Sequence, residues 1–122
     1  MTITRSPAVA GMFYPGSPAV LAATVDQLLA AAPTTEALQP KALIVPHAGY
    51  VYSGSTAAMA YAALAPWHST IRRVLLLGPT HRVAVDGIAV PKTDAFATPL
   101  GSVPLDAPAI ARLAALPQIV FS

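Results

Sequence analysis

The chain has 122 residues, 55% of them hydrophobic and only 10% charged, with a net charge of +2 and no cysteine. A chain of this length makes one domain, but a charged fraction far below the roughly 25% of average soluble domains leaves apolar surface suited to lie against another domain or subunit. The missing cysteines exclude a disulfide framework or a thiolate metal site built from this chain alone. The few dispersed basic residues, with Arg72-Arg73 the one adjacent pair, exclude a nucleic-acid-binding face.

The N-terminus carries no apolar signal-peptide core, and the longest Ala/Leu/Met/Tyr stretch, Ala57 to Ala65, is far short of the ~20 residues of a membrane span. The expectation is a cytoplasmic protein that contacts neither membrane nor nucleic acid. Residues 1–16, rich in Gly and Pro from Arg5 onward, predict an extended arm, and 17–122 predict a core. Ser17-Pro18 predicts a helix start, with a serine cap and proline at the first helical position. Val20, Leu21, Thr24, Val25, Leu28 and Leu29 follow at helical spacing until Pro33 stops the run. Thr34 to Pro40 reads as a polar connector.

A strand is predicted at about 41–46 and a loop over Gly49 to Gly54. A second helix, capped by Ser55 or Thr56, is predicted to run to about Leu64. Residues 73–77 predict another strand and Asp86 to Val90 a shorter one. Thr98-Pro99-Leu100-Gly101 reads as a turn, Asp106 as the cap of a helix over about 107–115, and Ile119-Val120-Phe121 as a further strand. Strand, helix, strand with a long crossover is the βαβ pattern. The expected class is therefore α/β, three layers αβα around a mainly parallel sheet, whose two faces both need cover.

The chemistry concentrates at two strand ends. Pro46-His47-Ala48-Gly49-Tyr50 follows Ala42-Leu43-Ile44-Val45, and Gly78-Pro79-Thr80-His81 follows Arg73-Val74-Leu75-Leu76-Leu77. The crevice beyond the strand ends of an open α/β sheet is where ligands bind, and imidazole is the commonest metal ligand. His47 and His81 are thus candidates for two metal ligands, or for a ligand and a general base; the alternative is that each imidazole only bonds its own turn. Non-haem iron needs a further carboxylate or other ligand, and zinc needs three or four ligands. Asp86 and Asp94 are the acids nearest His81, and are ordinarily solvated turn residues. Gly49, Gly54 and Gly78 either let backbone approach a ligand or only serve the turns. Thr80 and Ser53 are candidate anion contacts. Tyr50 and Tyr52 could orient a substrate, and Phe13-Tyr14 could wall a pocket or simply anchor the arm. His68, beside Trp67, reads as a surface residue.

Four blocks together resemble one family. They are Arg5-x-Pro7-Ala-Val-Ala-Gly11-Met-Phe-Tyr-Pro15, Pro46-His-Ala-Gly-Tyr50-x-Tyr-Ser-Gly54 with Ala57-Ala58-x-Ala60-Tyr61, Arg73 through His81, and Thr98-Pro-Leu-Gly101 with Asp106 behind it. In this order they look like the Memo family, labelled in prokaryotes AmmeMemoRadiSam system protein B. The resemblance implies a fold similar to class III extradiol dioxygenases, the non-haem iron enzymes that open catechol rings, of which this chain is the N-terminal half. It implies a pocket in which His47 and His81 hold Fe(II) or Cu, with the third ligand outside this chain. Phe13 would wall that pocket, with Tyr14, Gly49, Tyr50 and Thr80 around it. It also implies AMMECR-type and radical-SAM proteins as partners. The competing readings are a non-catalytic module for a phosphorylated or anionic ligand, and a fragment inactive without its C-terminal half or an oligomeric partner.

Overall fold

A computed structural model describes residues 1–33 and 38–122; of the expected connector, 34–37 lie outside the described residues. The protein is α/β. It divides into two compact units, one formed by Met1–Ser6 with Arg73–Ser122 and the other by Pro7–Arg72.

The first unit holds two small sheets. In one, β1 (Thr4–Arg5) runs parallel to β3 (Ala95–Thr98), which pairs antiparallel with β4 (Gly101–Pro104). The predicted turn joins β3 to β4. Thr98 Oγ1 donates to the Gly101 carbonyl at 2.8 Å and accepts the Leu100 N–H at 3.1 Å, and Gly101 has φ +132°. Entry into β1 is fixed from β3's side. The Ile3 N–H donates to Asp94 Oδ2 at 2.7 Å, and Thr93 Oγ1 donates to the Ile3 carbonyl at 2.7 Å. The Arg5 guanidinium lies over the Phe96 ring, 5.8 Å from its centroid. Asp94 is therefore a clamp on the N-terminal strand.

The second sheet pairs β2 (Ile88–Val90) parallel with β5 (Ile119–Phe121), in the register Ile88↔Ile119 and Val90↔Phe121. Between β4 and β5 lies α3 (Ala107–Leu113), capped as expected by Asp106, whose Oδ1 accepts the Ala109 N–H at 3.1 Å. Asp106 Oδ2 also lies 3.4 Å from Arg73 Nε. This pair is exposed and adds little stability.

The second unit is a helix pair. Helix α1 (Pro18–Ala31) starts where Ser17-Pro18 predicts. Helix α2 (Tyr50–Ala62) starts five residues before the expected serine cap, so the expected loop 49–54 is mostly helix. Its glycine is used for packing. Gly54 is buried, and a Cβ there would sit 3.2 Å from Leu28 Cδ1 on α1. Leu21 and Ala58 are buried in this unit, Val90 and Ala95 in the other. A 3-10 turn over Ala65–Trp67 follows α2, and exposed His68 caps it by bonding the Ala65 carbonyl through Nδ1 at 2.8 Å.

Three further expectations differ from the fold. Segments 41–46 and 73–77 form no strand ladder among the described residues. An apolar run favours extended backbone, but a strand exists only when another backbone takes its N–H and C=O groups. The arm is not extended throughout: Val9 accepts the N–H groups of Met12 and Phe13, and Ala10 bridges to Tyr14, so the chain turns at Gly11 (φ +80°).

Candidate functional site

In the second unit the folded arm and the start of α2 bring together Phe13, Tyr14, Gly49 and Tyr50, four of the five expected pocket residues. The Tyr50 N–H donates to the Phe13 carbonyl at 2.8 Å. A Cβ on Gly49 would sit 3.5 Å from that same carbonyl oxygen, so the arm and the loop meet backbone to backbone. The Tyr14 and Tyr50 rings lie 5.8 Å apart, tilted by 40°, within the range of favourable aromatic pairs. Ser53 Oγ donates to the Ala48 carbonyl at 3.1 Å, tying the first turn of α2 back to the segment after His47. Ser53, a candidate anion contact, is thus engaged with backbone.

His47 is exposed, three positions before the first residue of α2. Thr80 and His81 belong to the first unit and are exposed in the segment after Leu77. Of the two acids near His81, Asp94 holds Ile3 and Asp86 is exposed. Among the described residues no group of three or more His, Cys, Asp or Glu side chains is placed to hold a metal. Nor, among them, is any helix long and apolar enough to cross a membrane. The Asp94 clamp escaped sequence reasoning, because its partner is a backbone N–H at the far end of the chain.

Burial raises the Tyr50 pKa above its ordinary value, with smaller contributions from Tyr14 and Tyr61. Tyr50 is therefore a neutral phenol at physiological pH, able to donate a hydrogen bond. The native state holds this proton more tightly than the unfolded chain does. The associated stability is fully present below the unfolded value of about 10 and is lost as pH rises through the folded value. Urea unfolding is expected to show a steeper loss of stability from pH ~9 to ~11 in the wild type than in Tyr50→Phe. Equal slopes would contradict it.

The chain matches the family model described as Memo-like protein over residues 5–122. It is 43% identical to a MEMO1 family protein of Aquifex aeolicus over 102 residues, which cover 84% of this chain and 36% of that protein. It is 40% identical to Protein MEMO1 of Xenopus laevis over 105 residues, 86% of this chain and 34% of that one. A MEMO1 family protein of Pyrobaculum arsenaticum is 40% identical over 109 residues, 84% of this chain and 38% of that protein. The chain thus spans about a third of the length of the curated relatives it matches. The arm that folds onto Tyr50, the His47 loop and the His81 loop all fall inside the matched residues, and the chain belongs to the Memo family.

Proposed function

We propose that His47 and His81 are two of the ligands of a divalent-metal site, for Fe(II) or Cu, in a Memo-family protein related to the non-haem dioxygenases. The observation that carries this reading is that both histidine segments, Pro46–Tyr50 and Gly78–His81, lie inside the match to the family. Imidazole nitrogen suits iron, copper and zinc alike. The donor type therefore fits, but two imidazoles are one short of the three protein ligands that a catalytic site keeps. The third ligand comes from outside the described residues. A bound metal would supply Lewis acidity and open positions for an oxygen ligand. The chain's own part is to present the two imidazoles and to wall the His47 side with the Phe13 backbone, the Tyr14–Tyr50 ring pair and the neutral Tyr50 phenol. Action beside AMMECR-type and radical-SAM proteins belongs to the same proposal and rests on family membership alone.

Equilibrium dialysis against Cu(II), Zn(II) and anaerobic Fe(II) tests this reading. With an incomplete ligand set, binding is expected to be weak. It should fall at least about tenfold in His47→Ala and in His81→Ala, the low end for disturbing a metal's ligand support. His68→Gln, altered at the Ala65 turn, should leave it unchanged. Equal affinity in all four proteins would overturn the metal reading. Binding of phosphotyrosine or a simple carboxylate that persists after chelation and is lost in His47→Ala would favour the anion-binding module.

A further inference from the structure

We propose that Asp86-Gly87 is a site of spontaneous isoaspartate formation, and that this modification loosens the start of the β2–β5 pair. The reaction needs an aspartyl carboxyl free to turn, a following N–H that nothing holds, and no side chain crowding that nitrogen. Asp86 and Gly87 meet all three. Asp86 is exposed, and among the described residues no hydrogen bond or ion pair holds its carboxylate. Among them the Gly87 N–H also has no acceptor, because the first bond of the ladder comes from Ile88. Glycine puts no Cβ beside the attacking nitrogen. The other described aspartates are held. Asp26 lies inside α1, with the Gln27 N–H in the helix. Asp94 Oδ2 accepts the Ile3 N–H at 2.7 Å, and the Ala95 N–H that follows it donates to the Ile3 carbonyl at 3.3 Å. Asp106 caps α3, faces Arg73 and is followed by an alanine. The chain has no asparagine, so no Asn-Gly amide competes.

The chemistry balances with water alone. The Gly87 nitrogen attacks Cγ of the protonated Asp86 carboxyl. The N–Cγ bond forms, and the carboxyl hydroxyl leaves as water with the amide proton, giving a succinimide. Water then opens the ring at either carbonyl. Breaking the Cγ–N bond returns aspartate. Breaking the bond from the Asp86 main-chain carbonyl carbon to that nitrogen leaves the chain running through Cβ and Cγ, with a free carboxylate on Cα. The main chain is then one atom longer directly before Gly87.

The fold has no slack for that atom. Gly87 has φ +120°, and its Cβ position lies 2.4 Å from the Gln118 carbonyl oxygen, so its backbone is pressed against β5's approach. The same oxygen accepts the Ile88 N–H at 2.8 Å. A longer connection shifts Gly87 and takes this bond with it, at the end of a pair whose strands have three residues each. The inference is independent of the metal reading.

Ageing the folded chain tests it. The 122-residue protein and a synthetic peptide of residues 82–90 are kept warm for weeks in mildly acidic buffer. Isoaspartate is then located by electron-transfer fragmentation and counted by enzymatic methylation of its α-carboxyl. The folded chain is expected to convert at Asp86 within about tenfold of the peptide's rate, and at least about tenfold faster than at Asp26, Asp94 or Asp106, each tenfold being about 1.4 kcal/mol of barrier. Asp86→Asn should pass through the same imide, losing ammonia, and also yield isoaspartate. Asp86→Glu would need a larger ring and should yield none. In the converted protein, exchange at the Ile88 amide should quicken on the order of fivefold, as losing one hydrogen bond gives, with the β3–β4 hairpin unchanged. Conversion of the peptide with none in the folded chain or in folded Asp86→Asn would overturn the proposal. Conversion with unchanged Ile88 exchange would overturn its link to the sheet.

Discussion

Gly87→Ala is expected to detach β5 from β2 and to cost about 2–4 kcal/mol, combining backbone strain of 1–3 kcal/mol with one lost hydrogen bond. Gly87 sits at φ +120°, a conformation that side chains rarely adopt. A Cβ there would lie 2.4 Å from the Gln118 carbonyl oxygen, which is backbone and cannot swing aside. That carbonyl accepts the Ile88 N–H at 2.8 Å, the first bond of the β2–β5 ladder. Relieving the clash by turning φ or by moving the carbonyl breaks this bond in either case. Each of the two strands has three residues, so little remains to hold the pair. Gly101→Ala provides the comparison. Gly101 has φ +132° but no atom within 4 Å of its Cβ position, so it carries the strain without the clash. Urea unfolding should place Gly87→Ala below Gly101→Ala, and exchange at the Ile88 amide should quicken in the former alone. Equal midpoints would contradict the account.

Gly54 predicts the opposite dependence on side-chain size. Alanine there gains about 1 kcal/mol of helix propensity. Its Cβ would sit 3.2 Å from the end of the Leu28 side chain and 3.4 and 3.7 Å from the Tyr50 Cβ and Cγ. Leu28 can yield by a few tenths of an ångström, so Gly54→Ala is expected to be close to neutral. Gly54→Leu drives a branched chain into the same gap between α1 and α2 and should cost about 1–3 kcal/mol, as overpacked cores do. Because Tyr50 is one of the two neighbours displaced, the leucine variant should also weaken the alkaline dependence assigned to Tyr50. Urea unfolding monitored by circular dichroism, repeated across pH, reads both effects. A leucine variant as stable as the alanine one would show that Gly54 does not set the spacing of the helices.

What was legible in the sequence was local. Ser17-Pro18 and Asp106 start helices because a side-chain oxygen and a pre-set proline φ act within one turn. Thr98-Pro99-Leu100-Gly101 turns because its threonine and glycine satisfy the turn themselves. What was not legible depends on distant partners. The start of α2 was misplaced because its first N–H is taken by the Phe13 carbonyl, 37 positions earlier. β1 went unseen because its two residues are a strand only through Ala95 and Phe96. Residues 41–46 and 73–77 read as strands from composition, and composition cannot provide the neighbour a ladder needs. For the candidate site, local sequence offered only two histidines after apolar runs. Grouping Phe13 and Tyr14 with Gly49 and Tyr50 needed the family resemblance, and the fold then supplied the backbone contact that joins them.

The central claim is that His47 and His81 act as metal ligands, and pulsed electron paramagnetic resonance of the Cu(II)-loaded chain tests it most directly. The remote nitrogen of a bound imidazole couples to the copper spin, so the spectrum counts imidazole ligands. The account predicts two coupled imidazoles in the wild type and in His68→Gln, and one in His47→Ala or His81→Ala. A coupling pattern unchanged in both of those variants would contradict it.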